Sequence, residues 1–211
     1  MAARRMKAPE RRQQIMAVAQ RLFARHGYSQ TTTAAIAAAA GVTEPILYRH
    51  FKSKRDLFLQ LLQELTEHVT AQLRGIVAKG QDPAAQIKLL ITHYPRLAEQ
   101  YAEPFAMINR ALASLGPTAG KGRRAAPDVR PPLARHYAAY EELASDIVRR
   151  GQKSGQFRKQ VDASLAAWYL IQIAIGHTMS RPLEPAVFKR KDFVTQSLDV
   201  LLSGIMADKA K

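Results

Sequence analysis

Residues 15–58 read IMAVAQRLFARHGYSQTTTAAIAAAAGVTEPILYRHFKSKRDLF. Ile15, Val18, Ala19, Leu22 and Phe23 recur at steps of three and four, the single apolar stripe of an amphipathic helix. Gly27 stops it. The hydroxyls of Thr31 and Thr32 lead into a short Ala-rich helix from about Thr33 to Ala40. Gly41 ends that helix by taking the left-handed conformation. Thr43 then caps another short helix, with Pro45 tolerated in its first turn. Two short helices that cross steeply around a tight turn need small residues where they meet. Ala37, four residues before Gly41, meets that need, and Ile36, Val42 and Leu47 supply a shared core. The stretch therefore reads as a helix-turn-helix (motif about 32–51) on a supporting first helix. Its second short helix is free to enter a major groove, which is wide enough for one helix.

Outward from this motif, Ser53 and Asp56 have the spacing of a capping box and open a longer helix. Its stripe is Leu57, Phe58, Leu61, Leu62, Leu65, Val69 and Leu73, running to about Lys79 before Gly80 and Pro83. Further helical patterns occupy about 83–100, 104–115, 131–151, 162–178 and 190–207. Pro95 should kink or divide the first of these. Gly155 separates two of the later ones, and Asp162 is suited to cap the helix that follows. That helix is apolar nearly all round, the mark of burial on several sides. Between the patterns, Gly116 to Pro132 reads GPTAGKGRRAAPDVRPP, rich in Gly and Pro and poor in large apolar residues, as in a mobile loop. No segment alternates as a strand would, so the fold class is all-α.

Charge follows the same division. The chain has 211 residues with 32 Lys and Arg against 17 acids, a net of +15. Residues 1–55 carry +9 of that excess and residues 56–211 the remaining +6. A small basic module (1–55) on a larger body (56–211) is expected, with a polyanion as partner. Cysteine is absent, so no disulfide framework or Cys-based zinc finger exists, which suits a reducing compartment. The basic start lacks the apolar core of a signal peptide. The most apolar run, Leu165 to Gly176, is shorter than the ~20 residues that span a bilayer. A cytoplasmic protein with no membrane partner is expected.

In combination, the Phe-x-x-x-Gly-Tyr end, Thr-Thr, Ala-x-x-x-Gly-Val-Thr, Leu-Tyr-x-His-Phe and Lys-x-Lys of residues 15–58 resemble the DNA-binding domain of the TetR family of transcriptional regulators. The resemblance covers about a quarter of the chain, and the rest follows the family loosely in length and helical character. It implies an N-terminal three-helix, homeodomain-like domain joined by a long helix to a larger helical domain for effector binding and dimerisation. It implies a regulator, favoured as a repressor, that binds double-stranded DNA as a homodimer on a palindromic operator. Half-sites then lie ~34–36 Å apart or a small multiple of that.

Chemistry and resemblance together assign roles. Thr43, Glu44 and Pro45 start the recognition helix and face base edges. Ile46 is placed to touch a thymine methyl and Glu44 to accept from a cytosine amine or to repel phosphate. Tyr48 and His50 reach toward phosphates or sugars, and Arg49 is counted with them among the DNA-binding residues. Thr32 and Thr33 bring a helix start to a phosphate, and Lys54 meets the backbone at the next helix. Arg4, Arg5 and Lys7 form a basic arm. An effector pocket is expected from Tyr94, Phe105, Met107, Ile108, Tyr137, Tyr140, Trp168, Ile171, Gln172 and His177, a mostly apolar lining suited to an amphipathic or hydrophobic small molecule. Leu165, Tyr169, Val194, Leu198, Leu201, Leu202 and Ile205 are expected in the dimer interface.

Competing readings are weaker. No Gly-x-Ser-x-Gly, Gly-rich phosphate loop or HExxH occurs, so catalysis is not expected. No histidine stands at a strong metal-ligand spacing, so neither metal nor cofactor is expected. A membrane-surface anchor needs bulky apolar residues beside its charges, and Met1 to Pro9 offers only Met and Ala. A DNA-binding regulator without a ligand, or an interaction module for anionic surfaces, stays open as the alternative.

Overall fold

Backbone donors and acceptors are satisfied almost wholly within helices. A computed structural model describes residues 6–114, 129–180, 183, 186 and 193–207. Among them run α1 (Ala8–Gln30), α2 (Thr33–Ala39), α3 (Glu44–His50), α4 (Lys54–Val77), α5 (Pro83–Gln100), α6 (Ala102–Ala113), α7 (Arg130–Lys153), α8 (Ala163–Ser180) and α9 (Phe193–Ile205). The only strand-like pairing among these residues is an isolated antiparallel bridge between Phe157 and Met206. The all-α expectation therefore holds. Val129 is buried and α7 begins at Arg130, so the end of the expected 116–132 loop is already ordered helix. The remainder of that loop, the arm residues Arg4 and Arg5, and Lys121–Arg124 lie outside the described residues.

Contacts divide the chain into Met1–Thr66 with Tyr101–His136, and Glu67–Gln100 with Tyr137–Lys211. The first unit takes the first half of α4 and all of α6, and α6 packs against α1.

In the first unit the α1 stripe is buried through Ile15, Met16, Val18, Ala19 and Phe23. At Gly27 the backbone leaves helical space (φ 79°, ψ 165°), a conformation open almost only to glycine. The break brings Tyr28 against Phe23 and Phe58, with ring centroids 5.7 and 5.1 Å away. Thr31, expected at the helix entry, is instead buried and donates to the carbonyls of Gly27 (2.8 Å) and Leu22 (3.2 Å). Thr32 alone caps α2, accepting from the Ala35 N–H at 3.0 Å. Gly41, at φ 62°, makes the tight turn into α3. Val42 N–H donates to Ala37 C=O across that turn (2.9 Å).

Phe51, at the end of α3, is buried, and the Arg12 guanidinium lies 5.5 Å from its ring centroid. Arg12 also donates to Gln60 and pairs with Glu64 at 3.5 Å, tying α1 to α4. The α4 start uses both partners of the expected box, shifted by one residue. Asp56 N–H donates to Ser53 Oγ (3.0 Å), and the Asp56 carboxylate accepts from Lys52 N–H (2.9 Å).

In the second unit α8 and α9 each pack on α5. Asp82 accepts from Ala85 N–H (2.9 Å) at the start of α5. That backbone bond, helped by Gln156, holds its carboxyl below the usual range. Pro95 does not divide α5, which continues to Gln100. Asp162 caps α8 through Leu165 N–H (2.7 Å), as the sequence leads one to expect. The end of α9 is closed by Arg158, whose Nε donates to Met206 C=O (2.8 Å) and whose Nη2 donates to Ser203 C=O (2.9 Å). Backbone bonds from Arg158 N–H to Ile205 C=O and from Ala207 N–H to Gln156 C=O complete the lacing. These partners satisfy carbonyls that a helix end otherwise leaves open.

Candidate nucleic-acid interface and effector cavity

Helix α3 divides cleanly between an anchor and a face. Leu47 is fully buried and Phe51 nearly so, which fixes the roll of α3 about its own axis. Thr43, Pro45, Tyr48 and Arg49 are then exposed, and Glu44, Ile46 and His50 are half-buried. Pro45, Tyr48 and Arg49 lie at steps of three and four, so they share one side of the helix. Thr43 occupies the N-cap position but makes no side-chain cap bond, so it does not use its hydroxyl as the sequence implies. Tyr48, 49% exposed, donates its hydroxyl proton to Thr33 Oγ1 at 3.3 Å. That bond joins the exposed face of α3 to the first residue of α2. Two hydroxyls and the start of α2 therefore stand together on an exposed surface.

Lys54, expected to meet the DNA backbone, is half-buried and bound to its own chain. Its ammonium donates to Thr31 C=O (2.8 Å) and Tyr28 C=O (3.0 Å), and it lies 4.4 Å from the Tyr28 ring centroid. Burial lowers its pKa. The cause is periodic: Lys54 stands three and four residues before Leu57 and Phe58, on the inward side of α4. The cations that face solvent there are Lys52 and Arg55, which sequence reasoning passed over. The alternation of Lys52 and Arg55 with the inward stripe was the signal that identifies them.

The expected pocket residues separate. Tyr94, Tyr140 and Ile171 come together around an apolar cavity of about 20 Å³ in the second unit. Leu73, Leu90, Ile91, Leu143, Leu170 and Ala174 complete its wall, and none of them was assigned to a pocket from sequence. All are aliphatic residues on regular stripes, and periodicity alone does not separate a cavity wall from solid core. Burial raises the pKa values of Tyr94 and Tyr140, so both phenols are neutral. Tyr137, its pKa also pushed up to about 12 by burial, meets Tyr140 and Trp168 but does not line the cavity.

Phe105, Met107 and Ile108 are buried on α6 in the first unit. They are core of that unit and not part of this cavity. Gln172 is exposed, and His177 is half-buried with its pKa lowered by burial. Neither lines the cavity.

The expected interface residues also divide. Leu165 (56%) and Tyr169 (61%) are exposed on α8, in line with Trp168 and Met179. Leu198 and Ile205 point inward and are buried, while Leu201 and Leu202 are half-buried. Leu198 and Ile205 are seven residues apart, hence on one side of α9, and that side faces its own unit. Val200, 76% exposed, is a large apolar residue that faces outward, and sequence reading missed it. The side chain of Val194 lies outside the described residues.

Among the described residues no group of three or more His, Cys, Asp or Glu could hold a metal ion. No helix among them is long and apolar enough to cross a membrane.

Comparison with known proteins agrees with this geometry. Residues 15–61 match the family model of bacterial regulatory proteins, tetR family. The HTH-type transcriptional repressor KstR2 of Rhodococcus jostii is 28% identical over 160 residues, 76% of this chain and 74% of that protein. The HTH-type transcriptional regulator AcrR of Shigella flexneri is 46% identical over 91 residues, 42% of each chain. The fold is that of the transcriptional regulator FadR from Bacillus subtilis in complex with stearoyl-CoA, with a TM-score of 0.68, 23% identity, and coverage of 92% of this chain and 98% of that one.

Proposed function

This chain belongs to the TetR family of DNA-binding transcriptional regulators, and from that premise we propose that it is a repressor that binds a palindromic operator as a homodimer and is released by a small apolar effector. The observation that carries the proposal is the exposed side of α3. Leu47 anchors the helix from within, and Thr43, Pro45, Tyr48 and Arg49 stand outward beside the Thr33–Tyr48 bond. Thr43, Glu44 and Ile46 at its start read bases, while Tyr48, Arg49, His50, Thr32 and Thr33 hold the sugar-phosphate backbone. Lys52 and Arg55 add charge at the start of α4. Lys54 acts one step back, fixing α4 to the end of α1.

Pairing of two copies is supported by the exposed row of Leu165, Trp168, Tyr169 and Met179 along α8. From Leu165 to Met179 the row is about 21 Å long at ~1.5 Å per residue. A two-fold interface sets the same row against itself, so an exposed apolar row along one helix suits it. Pairing also doubles the bases read, which a single short helix needs for useful specificity.

The cavity supports the effector. Sites for small molecules occupy ~300–1,000 Å³, so the present space of about 20 Å³ must open roughly tenfold or more. A ligand that enters selects an expanded arrangement of the second unit. It shifts the population toward that arrangement only as far as it binds it better. Since α4 runs from Lys54 through Leu73, which lines the cavity, its tilt is the lever that alters the spacing of the paired recognition helices. KstR2 carries the word repressor in its name, and occlusion of a promoter is the outcome expected here.

The test is a titration with DNA upstream of the chain's own coding region against a scrambled duplex, at ~50 and ~200 mM salt. A protein that touches 6–10 phosphates loses roughly 10³–10⁵ in affinity over that range on either duplex. A preference of ~10³ or more for the upstream duplex, abolished in Tyr48→Ala and Arg49→Ala, is the expected result. Equal affinity for both duplexes with no effect of either substitution refutes the reading.

A further inference from the structure

Four aromatic residues of the second unit join the cavity to the surface of α8. They form a line of ring contacts leading away from the cavity. Tyr94 and Tyr140 both line the cavity and meet edge to face, with centroids 6.3 Å apart. Tyr140 meets Tyr137 at 6.4 Å, again nearly perpendicular. Tyr137 meets Trp168 at 6.5 Å with 35° between planes. All three separations fall in the ~4.5–7 Å range of paired aromatic rings. Exposure rises along the line: Tyr140 is buried, Tyr137 half-buried and Trp168 41% exposed. The last ring stands in the outward row of α8, between Leu165 and Tyr169.

Two physical facts turn this line into a relay. The cavity of about 20 Å³ has room for little more than one water molecule, so any larger occupant must displace a lining side chain. Interiors are packed as densely as organic crystals, so a displaced ring moves its neighbour and is not absorbed by free space. On the cavity wall Tyr140 meets Tyr137, and Tyr137 in turn meets Trp168.

We propose that Tyr137 is a positioning residue that couples occupancy of the cavity to the shape of the exposed α8 row, so that a cavity ligand and a second copy of this chain change each other's affinity. The inference rests on the reading above that the cavity takes the effector and that the α8 row pairs two copies. Coupling of this kind is reciprocal, with factors of ~5–150 between sites. The occupant of the cavity is an uncharged apolar group, because the wall is aliphatic apart from two neutral phenols.

The test fills the cavity from inside, so no effector need be known. Ala174 is on the wall, and Ala174→Val adds two methyl groups to a space that holds about one water. Toluene added to the wild-type chain serves as a second probe that requires no substitution. The sequence holds a single tryptophan, so intrinsic emission excited at the indole reports Trp168 alone. The dimer dissociation constant is read by sedimentation, and circular dichroism confirms that each variant is folded.

Both probes should shift the Trp168 emission and change the dimer constant by ~5-fold or more. Tyr137→Leu should abolish both responses while the chain stays folded, and Tyr137→Phe, which keeps the ring, should restore them. A merely structural Tyr137 would lower stability in the Leu variant and leave the responses intact, which overturns the proposal. Unchanged Trp168 emission with either probe overturns the relay itself. A chain that is monomeric at all concentrations refutes the pairing reading and the affinity coupling with it, an outcome distinct from a silent Trp168.

Discussion

Acidification from about pH 6.5 to 4 should remove stability from the first unit through one residue, His136. Its ring is 2% exposed, and burial holds its pKa at about 4 against the ordinary 6.5. Its Nδ1 lies 2.6 Å from Thr66 Oγ1. The single hydroxyl proton of Thr66 is donated to Leu62 C=O at 2.7 Å, so the imidazole is the donor in the pair, through Nδ1–H. This neutral tautomer is the form the fold stabilises. Above pH 6.5 the ring is neutral in both folded and unfolded chains and contributes no pH dependence. Below it the unfolded chain takes up a proton that the folded chain refuses until about pH 4. Stability therefore rises with pH across this window and falls as acid is added.

At ~1.4 kcal/mol per pH unit, the gap between 6.5 and about 4 amounts to about 3 kcal/mol. That is a large share of the roughly 5–15 kcal/mol that holds a domain folded. The assay is urea unfolding at several pH values between about 7 and 4.5, for the wild type and His136→Asn. Asparagine keeps an amide donor for Thr66 but does not titrate. Carboxylates contribute equally to both chains, so the difference in slope isolates His136. The wild type should lose up to about 3 kcal/mol more than the variant over the window, with unchanged m-values. Parallel curves would refute the reasoning.

The remaining predictions concern the links between helices. Lys54→Met removes two charge-assisted bonds to Tyr28 and Thr31 carbonyls and should cost ~2 kcal/mol in denaturant unfolding. Lys52→Ala and Arg55→Ala should leave stability nearly unchanged and each lower the salt slope of DNA binding by ~1. Gly151→Ala would set a Cβ 2.0 Å from Cδ2 of the buried Phe157 ring. It should lower stability by ~1–3 kcal/mol, seen as a fall in Tm by circular dichroism. Gly27→Ala meets no atom within 4 Å, so its cost of ~1–3 kcal/mol comes from backbone strain alone. A double variant of Gly27 and Gly151 should then add, since the causes are independent.

Local chemistry was legible in the sequence and partner choice was not. The turn at Gly41, the burial of Leu47 and Phe51, and the inward row from Leu57 to Leu73 follow from period and turn chemistry. The same period places Lys54 inward, yet its charge argued for solvent, and the carbonyls freed by the Gly27 break decided the matter. A stripe shows that a face is buried without saying against what. Phe105, Met107 and Ile108 were read as pocket for that reason and are core of the first unit. The nearly uniform apolarity of α8 concealed which side its own chain covers. Leu170, Ile171 and Ala174 face the cavity, and Leu165, Trp168 and Tyr169 do not. In α9 the inward side belongs to Leu198 and Ile205, which leaves Val200 outside.

The lacing of Arg158 to the end of α9 also sets an order of events during synthesis. Arg158 and Met206 are 48 residues apart. At ~5–20 residues per second of translation, the acceptor is made roughly 2–10 s after the donor. During that interval α8 is made, and the last helix, which shares α5 with it, begins only at Phe193. The side of α5 that α9 covers stays open until then, so the second unit closes late in synthesis. Closure comes when the last turn of α9 arrives and Arg158 binds its carbonyls.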